Sequence, residues 1–98
     1  MNEIFLIGEI VTEIDFKFIL NSKHISIALF EIELLNRSIV KVKAYDDMAD
    51  FVYSKLIKGD IIFIYGSMET SGCINCLYIG KTFYKIPKNT LHLPQKYI

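Results

Sequence analysis

From Ser38 to Gly66 the chain reads SIVKVKAYDDMADFVYSKLIKGDIIFIYG. Val40, Val42 and Ala44 alternate with Ile39, Lys41, Lys43 and Tyr45, the period of a half-buried strand. Asp46 or Asp47 can then cap a helix whose Met48, Phe51, Val52 and Leu56 fall at i, i+3, i+4 and i+8, a single stripe for a core. Lys55 and Lys58 suit the negative end of the helix dipole, and Gly59 suits the left-handed position just past it. Ile61–Tyr65 makes another strand, closed by Gly66. Strand, helix, Lys-Gly-Asp break and strand predict a small β-barrel with its helix between strands three and four. Such barrels commonly bind a ligand along an open face.

Upstream, Ile4, Leu6, Gly8, Ile10 and Thr12 share one face of a first strand and Phe5, Ile7, Glu9, Val11 and Glu13 the other. Phe16, Phe18 and Leu20 continue it after a bend near Asp15, and Asn21-Ser22-Lys23 reads as a turn. In the second strand, about His24 to Leu35, Ile25, Ile27 and Leu29 share a face until the apolar phase moves to Phe30, Ile32 and Leu34. That shift predicts a β-bulge, the device that bends strands around barrel corners. Asn36-Arg37 is a tight hairpin connection to strand three. Downstream, a short connection around Ser71-Gly72 leads to a fifth strand over roughly Cys76–Ile86. Residues 1–86 are therefore expected to form one domain, with 87–98 as a C-terminal tail.

Ninety-eight residues, 52% of them hydrophobic, suffice for a single core and leave no room for a second domain. Eleven basic and eleven acidic residues cancel, so any site for a polyanion must be local. Glu3, Glu9, Glu13 and Asp15 interrupt the most apolar end, which excludes a membrane helix of about 20 apolar residues there. The N-terminal residues also lack a signal-peptide pattern, and a cytoplasmic location is expected.

The order of elements matches the OB-fold, an all-β architecture with one helix in which five strands form a Greek-key barrel. The wording of the chain resembles the bacterial single-stranded DNA-binding protein family over most of residues 2 to 86, with the primosomal replication protein N family a close second. The resemblance rests on Ile4-Phe5-Leu6-Ile7-Gly8, Val42-Lys43-Ala44-Tyr45, Met48-Ala49-Asp50, Leu56-Ile57-Lys58-Gly59-Asp60 and Tyr65-Gly66-Ser67-Met68-Glu69-Thr70. It implies nonspecific single-stranded DNA binding in replication, recombination or mobile-element maintenance, with Tyr45 at the position of a stacking aromatic.

Such binding needs rings on which bases stack and cations that follow the phosphates. Lys41, Lys43 and Tyr45 lie on one face of strand three and supply both, although the same alternation also describes an ordinary solvated face. Arg37 at the hairpin tip and Lys23 before strand two are candidates to extend the track. Tyr78 and Tyr84 on strand five read as packing residues.

Several residues depart from the family. Glu9 and Glu69 stand where it commonly carries basic or polar residues, and Glu31 and Glu33 add negative charge to strand two. The connections between strands two and three and between four and five are short, and the tail Lys88–Ile98 has no acidic tip. Binding is therefore expected to be weak, with a short footprint and a shallow salt dependence. The competing reading is a barrel that has lost DNA binding and holds proteins instead.

Catalysis is not expected, since His24 and His92 belong to no nucleophile, metal or phosphate motif. Cys73 and Cys76 lack the second pair that zinc needs, and no cofactor is implied. Ile4, Phe5, Leu6 and Ile7, like Ile61 to Tyr65, are apolar on both faces of their strands. A small barrel cannot bury both faces, so a homodimer or homotetramer is expected, with Ile4–Ile7 at its interface.

Overall fold

The computed structural model describes residues 3–82. They form β1 (Glu3–Ile10), β2 (Asp15–Phe18), β3 (Ser26–Leu34), β4 (Ile39–Tyr45), α1 (Asp47–Lys55), β5 (Ile61–Met68) and β6 (Ile74–Lys81). The segment 83–98, including the expected end of the last strand, Tyr84 and the tail, lies outside the described residues.

β1 and β2 are halves of one barrel strand, because both pair antiparallel with β3, first as Ile10↔Ile32 and then as Asp15↔Leu29. Across the bend this strand advances five residues while β3 advances three. The two extra residues break the ladder, and Thr12 repairs it: its hydroxyl accepts the Glu31 N–H at 2.9 Å while the Val11 N–H reaches Glu31 O at 3.0 Å. The sheet then runs β1, β5, β6, β4, β3 and closes on itself through β1 and β3. A parallel contact of β4 with β6, Val42↔Ile74 and Lys43↔Asn75, completes the barrel. Five barrel strands and a helix between the third and fourth are the expected architecture.

The expected phase change in β3 does not occur. Ser26, Ala28, Phe30 and Ile32 are all buried in unbroken alternation, and the pairing with β4 runs without a shift from Ile27↔Tyr45 to Glu33↔Ile39. The inward residues at this end are small because α1 packs there: Ala28 lies opposite Ala44, and Ala49 and Val52 of the helix join them in the core. Ile25, Ile27 and Leu29 therefore face outward, and size rather than polarity decided which side went in. The bulge sits instead between β5 and β6, where Tyr65↔Tyr78 is followed by Gly66↔Cys76. Leu77 is the extra residue, which leaves both Leu77 and Tyr78 exposed. Glycine is required at 66, since a Cβ there would meet Asn75 O at 2.4 Å.

The helix buries Ala49 and Val52, with Leu56 just beyond its end, whereas Phe51 looks outward and Met48 is half-buried. The anticipated stripe was thus correct at Val52 and Leu56 and displaced at Phe51, because Ala49 takes the close contact. Asp46 precedes the helix with φ 55° and makes no side-chain cap. Gly59 also has another role. At φ 101° it shapes a turn beyond the helix, with the Ile57 N–H bonded to Asp60 Oδ2 at 2.9 Å and the Asp60 N–H to Ile57 O at 3.1 Å.

This turn holds the barrel together. The Gly59 N–H donates to Ile10 O at 2.8 Å and the Ile10 N–H donates to Asp60 O at 2.9 Å, which joins the helix exit to the end of β1. The Asp60 side chain is buried and its Oδ1 lies 3.4 Å from Lys81 Nζ. Replacing Asp60 by Ala strands the Ile57 N–H and removes the partner of Lys81, so the variant should lose about 1–3 kcal/mol of stability. A lower urea midpoint at unchanged m-value is the expected result, with Asp60→Asn, which keeps one acceptor, falling between the two.

Candidate nucleic-acid interface

The pairing registers place three outward rows across β2, β3 and β4. Tyr45 lies beside Ile27, which has Lys17 on its far side, Lys43 beside Leu29, which has Asp15 on its far side, and Lys41 beside Glu31. Lys41, Lys43 and Tyr45 do share one strip, and from Ile39 to Tyr45 it is roughly 20 Å long at the usual rise of a strand. Arg37 sits in the turn at one end, its Nη1 donating to Glu33 Oε2 at 3.3 Å, and Lys23 lies in the turn at the Tyr45 end. These two cations mark the ends of the strip rather than its middle.

Tyr45 and Lys43 each have an intramolecular partner that the sequence did not reveal. The His24 ring stacks on Tyr45 with centroids 4.1 Å apart and planes 17° apart. His24 Nδ1 is in turn 2.7 Å from Asp46 Oδ2, while Asp46 Oδ1 accepts the Ile25 N–H at 2.7 Å and the Ser26 N–H at 3.3 Å. One face of the tyrosine is thus already covered, by an imidazole whose orientation the Asp46 carboxylate holds. The hairpin could have signalled this, because the Asp46 N–H bonds Ser26 O and so brings the end of β4 to the start of β3.

Lys43 is bound to Glu69, with Nζ 2.6 Å from Oε1, and its ammonium also lies 5.8 Å from the centre of the Tyr45 ring. The hydrogen bond that Lys43 donates to Glu69 raises the lysine above its ordinary range, against a smaller opposing effect of burial. Lys41 is exposed and has no ion-pair partner among the described residues. It borders a depression at the β1–β2 bend that also exposes Thr12, Glu13, Asp15, Glu31 and Cys73. Glu13 and Glu31, with Asp15, whose Oδ2 lies 3.5 Å from Lys17 Nζ, keep this end of the strip from being strongly positive.

The opposite face differs in kind. Phe5, Phe63 and Tyr78 form a ladder on the outside of β1, β5 and β6, with centroids 6.0 Å and 6.2 Å apart and planes 21° from parallel at both steps. Gly80 makes this possible, since the Phe63 ring occupies the space in which its Cβ would lie, 2.2 Å away. Phe5 and Tyr78 remain 58% and 60% exposed, and Ile7, Tyr65 and Leu77 extend the apolar surface. Glu3 accepts the Tyr65 hydroxyl. Ile4 and Leu6 point the other way and pack on the core, so only Phe5 and Ile7 of the Ile4–Ile7 stretch face outward. Because β3 pairs with β1 only from Gly8 onward, residues 3–7 have an unpaired strand edge among the described residues.

Cys76 is buried in the barrel, and burial pushes its thiol up to about 11, while Cys73 lies outside in the turn before β6. They do not face one another across a site. Among the described residues no group of His, Cys, Asp and Glu could hold a metal ion, and no helix is long and apolar enough to cross a membrane.

No protein-family model and no curated protein matches the chain. Solved structures do. The small single-stranded DNA-binding protein from Streptomyces coelicolor is similar with a TM-score of 0.68 at 16% identity, over 83% of this chain and 92% of that one. The architecture is an OB-fold. Mitochondrial single-stranded DNA binding proteins from S. cerevisiae share this barrel with a TM-score of 0.72 at 11% identity, over 83% of this chain and 93% of that one. The single-stranded DNA binding protein from Thermus aquaticus gives 0.75 at 14% identity, with 90% of this chain matched to 43% of that one.

In this OB-fold barrel the His24 hydrogen bond, followed by the Ile25 N–H, holds the Asp46 carboxyl below the usual aspartate range. A depressed carboxyl adds stability that is complete above its unfolded pKa and is lost as pH falls through the folded one. Asp46→Asn retains an acceptor for the Ile25 and Ser26 N–H groups. Between about pH 5 and about pH 3 the melting temperature of the parent should therefore fall more steeply than that of Asp46→Asn. Parallel melting curves check this.

Proposed function

We propose that the protein binds single-stranded DNA without sequence preference, weakly and over a short footprint, in replication, recombination or mobile-element maintenance. The observation that carries this reading is the outward strip of β4, in which Lys41, Lys43 and Tyr45 put two ammonium groups and a ring on one side of the barrel. Similarity in fold to structures named as single-stranded DNA-binding proteins supports it. Lys23 and Arg37 extend the track at either end. Weakness follows from the neighbours: Glu69 on Lys43, Glu31 beside Lys41, and a tyrosine with one face taken by His24.

A labelled oligo(dT) titrated at several salt concentrations tests the reading by anisotropy. Tyr45→Ala should weaken binding by about 1–3 kcal/mol if the ring stacks one base. Lys41→Ala should make the salt dependence shallower by about 0.7 in log–log slope, the contribution of one phosphate on a single strand. Absence of micromolar binding at low salt, or indifference to both substitutions, would remove this function.

A second reading, a barrel that holds proteins, is favoured by the aromatic ladder of Phe5, Phe63 and Tyr78. That reading has DNA binding lost; independently of it, we propose a homodimer or homotetramer made through the open edge of residues 3–7, with Phe5 and Ile7 on the contact surface and Ile4 and Leu6 supporting them from the core. A cytoplasmic location accords with either reading. Light scattering on a sizing column should give a mass above that of one chain, and Phe5→Glu/Ile7→Glu should reduce it. A concentration-independent monomer would exclude the assembly.

A further inference from the structure

Glu69 is not a solvated acid that merely dilutes the positive charge of the strip. It is the first residue after β5, and its main chain is held on both sides, its N–H donating to Cys73 O at 2.9 Å and its carbonyl accepting the Gly72 N–H at 2.9 Å. Gly72, at φ 87°, allows this tight reversal. The turn delivers the chain into β6, whose Asn75 runs parallel beside Lys43, so the carboxylate is carried over the outer surface of β4. There it meets the Lys43 ammonium at 2.6 Å, with the two side chains 33% and 21% exposed. The same ammonium lies 5.8 Å from the Tyr45 ring. Lys43 is thus a cation beside the ring on which a base would stack, where such a site needs a cation to follow the phosphates, and the anion it already holds is Glu69.

We propose that Glu69 is an intramolecular competitor for phosphate: single-stranded DNA engages Lys43 only by displacing this carboxylate. The inference rests on the proposed DNA-binding function and assigns to one residue the control of its strength. A carboxylate and a phosphodiester both offer an ammonium two oxygens and about one negative charge, so the exchange is chemically like for like. Opening a partly exposed pair is inexpensive, which makes Glu69 a brake rather than a block. Lys41 has no such competitor among the described residues and is available to the first phosphate that arrives.

The experiment is oligo(dT) anisotropy on the parent, Glu69→Gln, Lys43→Ala and the double variant, with the Glu69 carboxyl carbon followed by NMR as DNA is added. Glu69→Gln should tighten binding about two- to fivefold at low salt. Most of that gain should vanish in the Lys43→Ala background, and the Glu69 carboxyl signal should move on DNA addition toward the value it has in Lys43→Ala. If the parent binds but Glu69→Gln gains equally with and without Lys43, the acid acts only through general charge and the proposal falls. If the Glu69 signal stays fixed while DNA binds, or if Glu69→Gln steepens the salt slope by about 0.7, the pair remains closed on DNA and displacement is wrong. A parent and Glu69→Gln that both fail to bind overturn the DNA-binding reading itself. Binding by Glu69→Gln alone would make the acid a block that DNA does not displace, and overturns the proposal.

Discussion

The barrel depends on one junction, where the turn after the helix meets the end of β1. Two main-chain hydrogen bonds tie Ile10 to Gly59 and Asp60, and the buried Asp60 carboxylate joins the Ile57 N–H to Lys81 at the end of β6. The helix exit, the first strand and the last strand are thereby connected at one point. A buried carboxylate is tolerated there only because its oxygens have these partners. From this junction β5 starts in register with β1, and the helix lies across the barrel end that the small residues Ala28 and Ala44 leave open.

Closure of the barrel separates two outer surfaces with different chemistry. Around β2, β3 and β4 the outward positions mix lysines and acids with Ile27, Leu29 and Ile39, and Lys43 and Tyr45 are each set against a neighbour that tempers them. Around β1, β5 and β6 the outward positions are aromatic and aliphatic, with Gly80 leaving room for Phe63 to lie flat between Phe5 and Tyr78. The proposed single-stranded DNA site lies on the first surface and the proposed protein contact on the second. The two lie on opposite sides of the core.

Much of the fold was legible because alternation and helical periodicity are local properties. The β4 alternation, the helix and the split first strand follow directly from the spacing of apolar residues. The reading failed in β3, where Ile25, Ile27 and Leu29 look like a core face and are the outer one. Hydrophobicity alone cannot show that a helix will press on Ala28 and Ala44 and demand small residues inside. At Gly59 the left-handed backbone was anticipated correctly, but it lies beyond the Leu56 cap, in the turn that binds Ile10. The bulge was anticipated in kind and misplaced, because a bulge reflects the closure of two strands rather than the composition of one.

The candidate strip divides in the same way. That Lys41, Lys43 and Tyr45 share a face is a consequence of the two-residue period of a strand, and the sequence by itself determined it. That His24 lies on Tyr45, that Asp46 holds His24, and that Glu69 reaches Lys43 are contacts across 21, 22 and 26 residues of chain, respectively. Only the tertiary structure decided these, since closing the barrel brings the start of β3 and the β5–β6 turn beside β4. Sequence spacing therefore defined which groups point outward, and barrel closure defined which of them are already occupied.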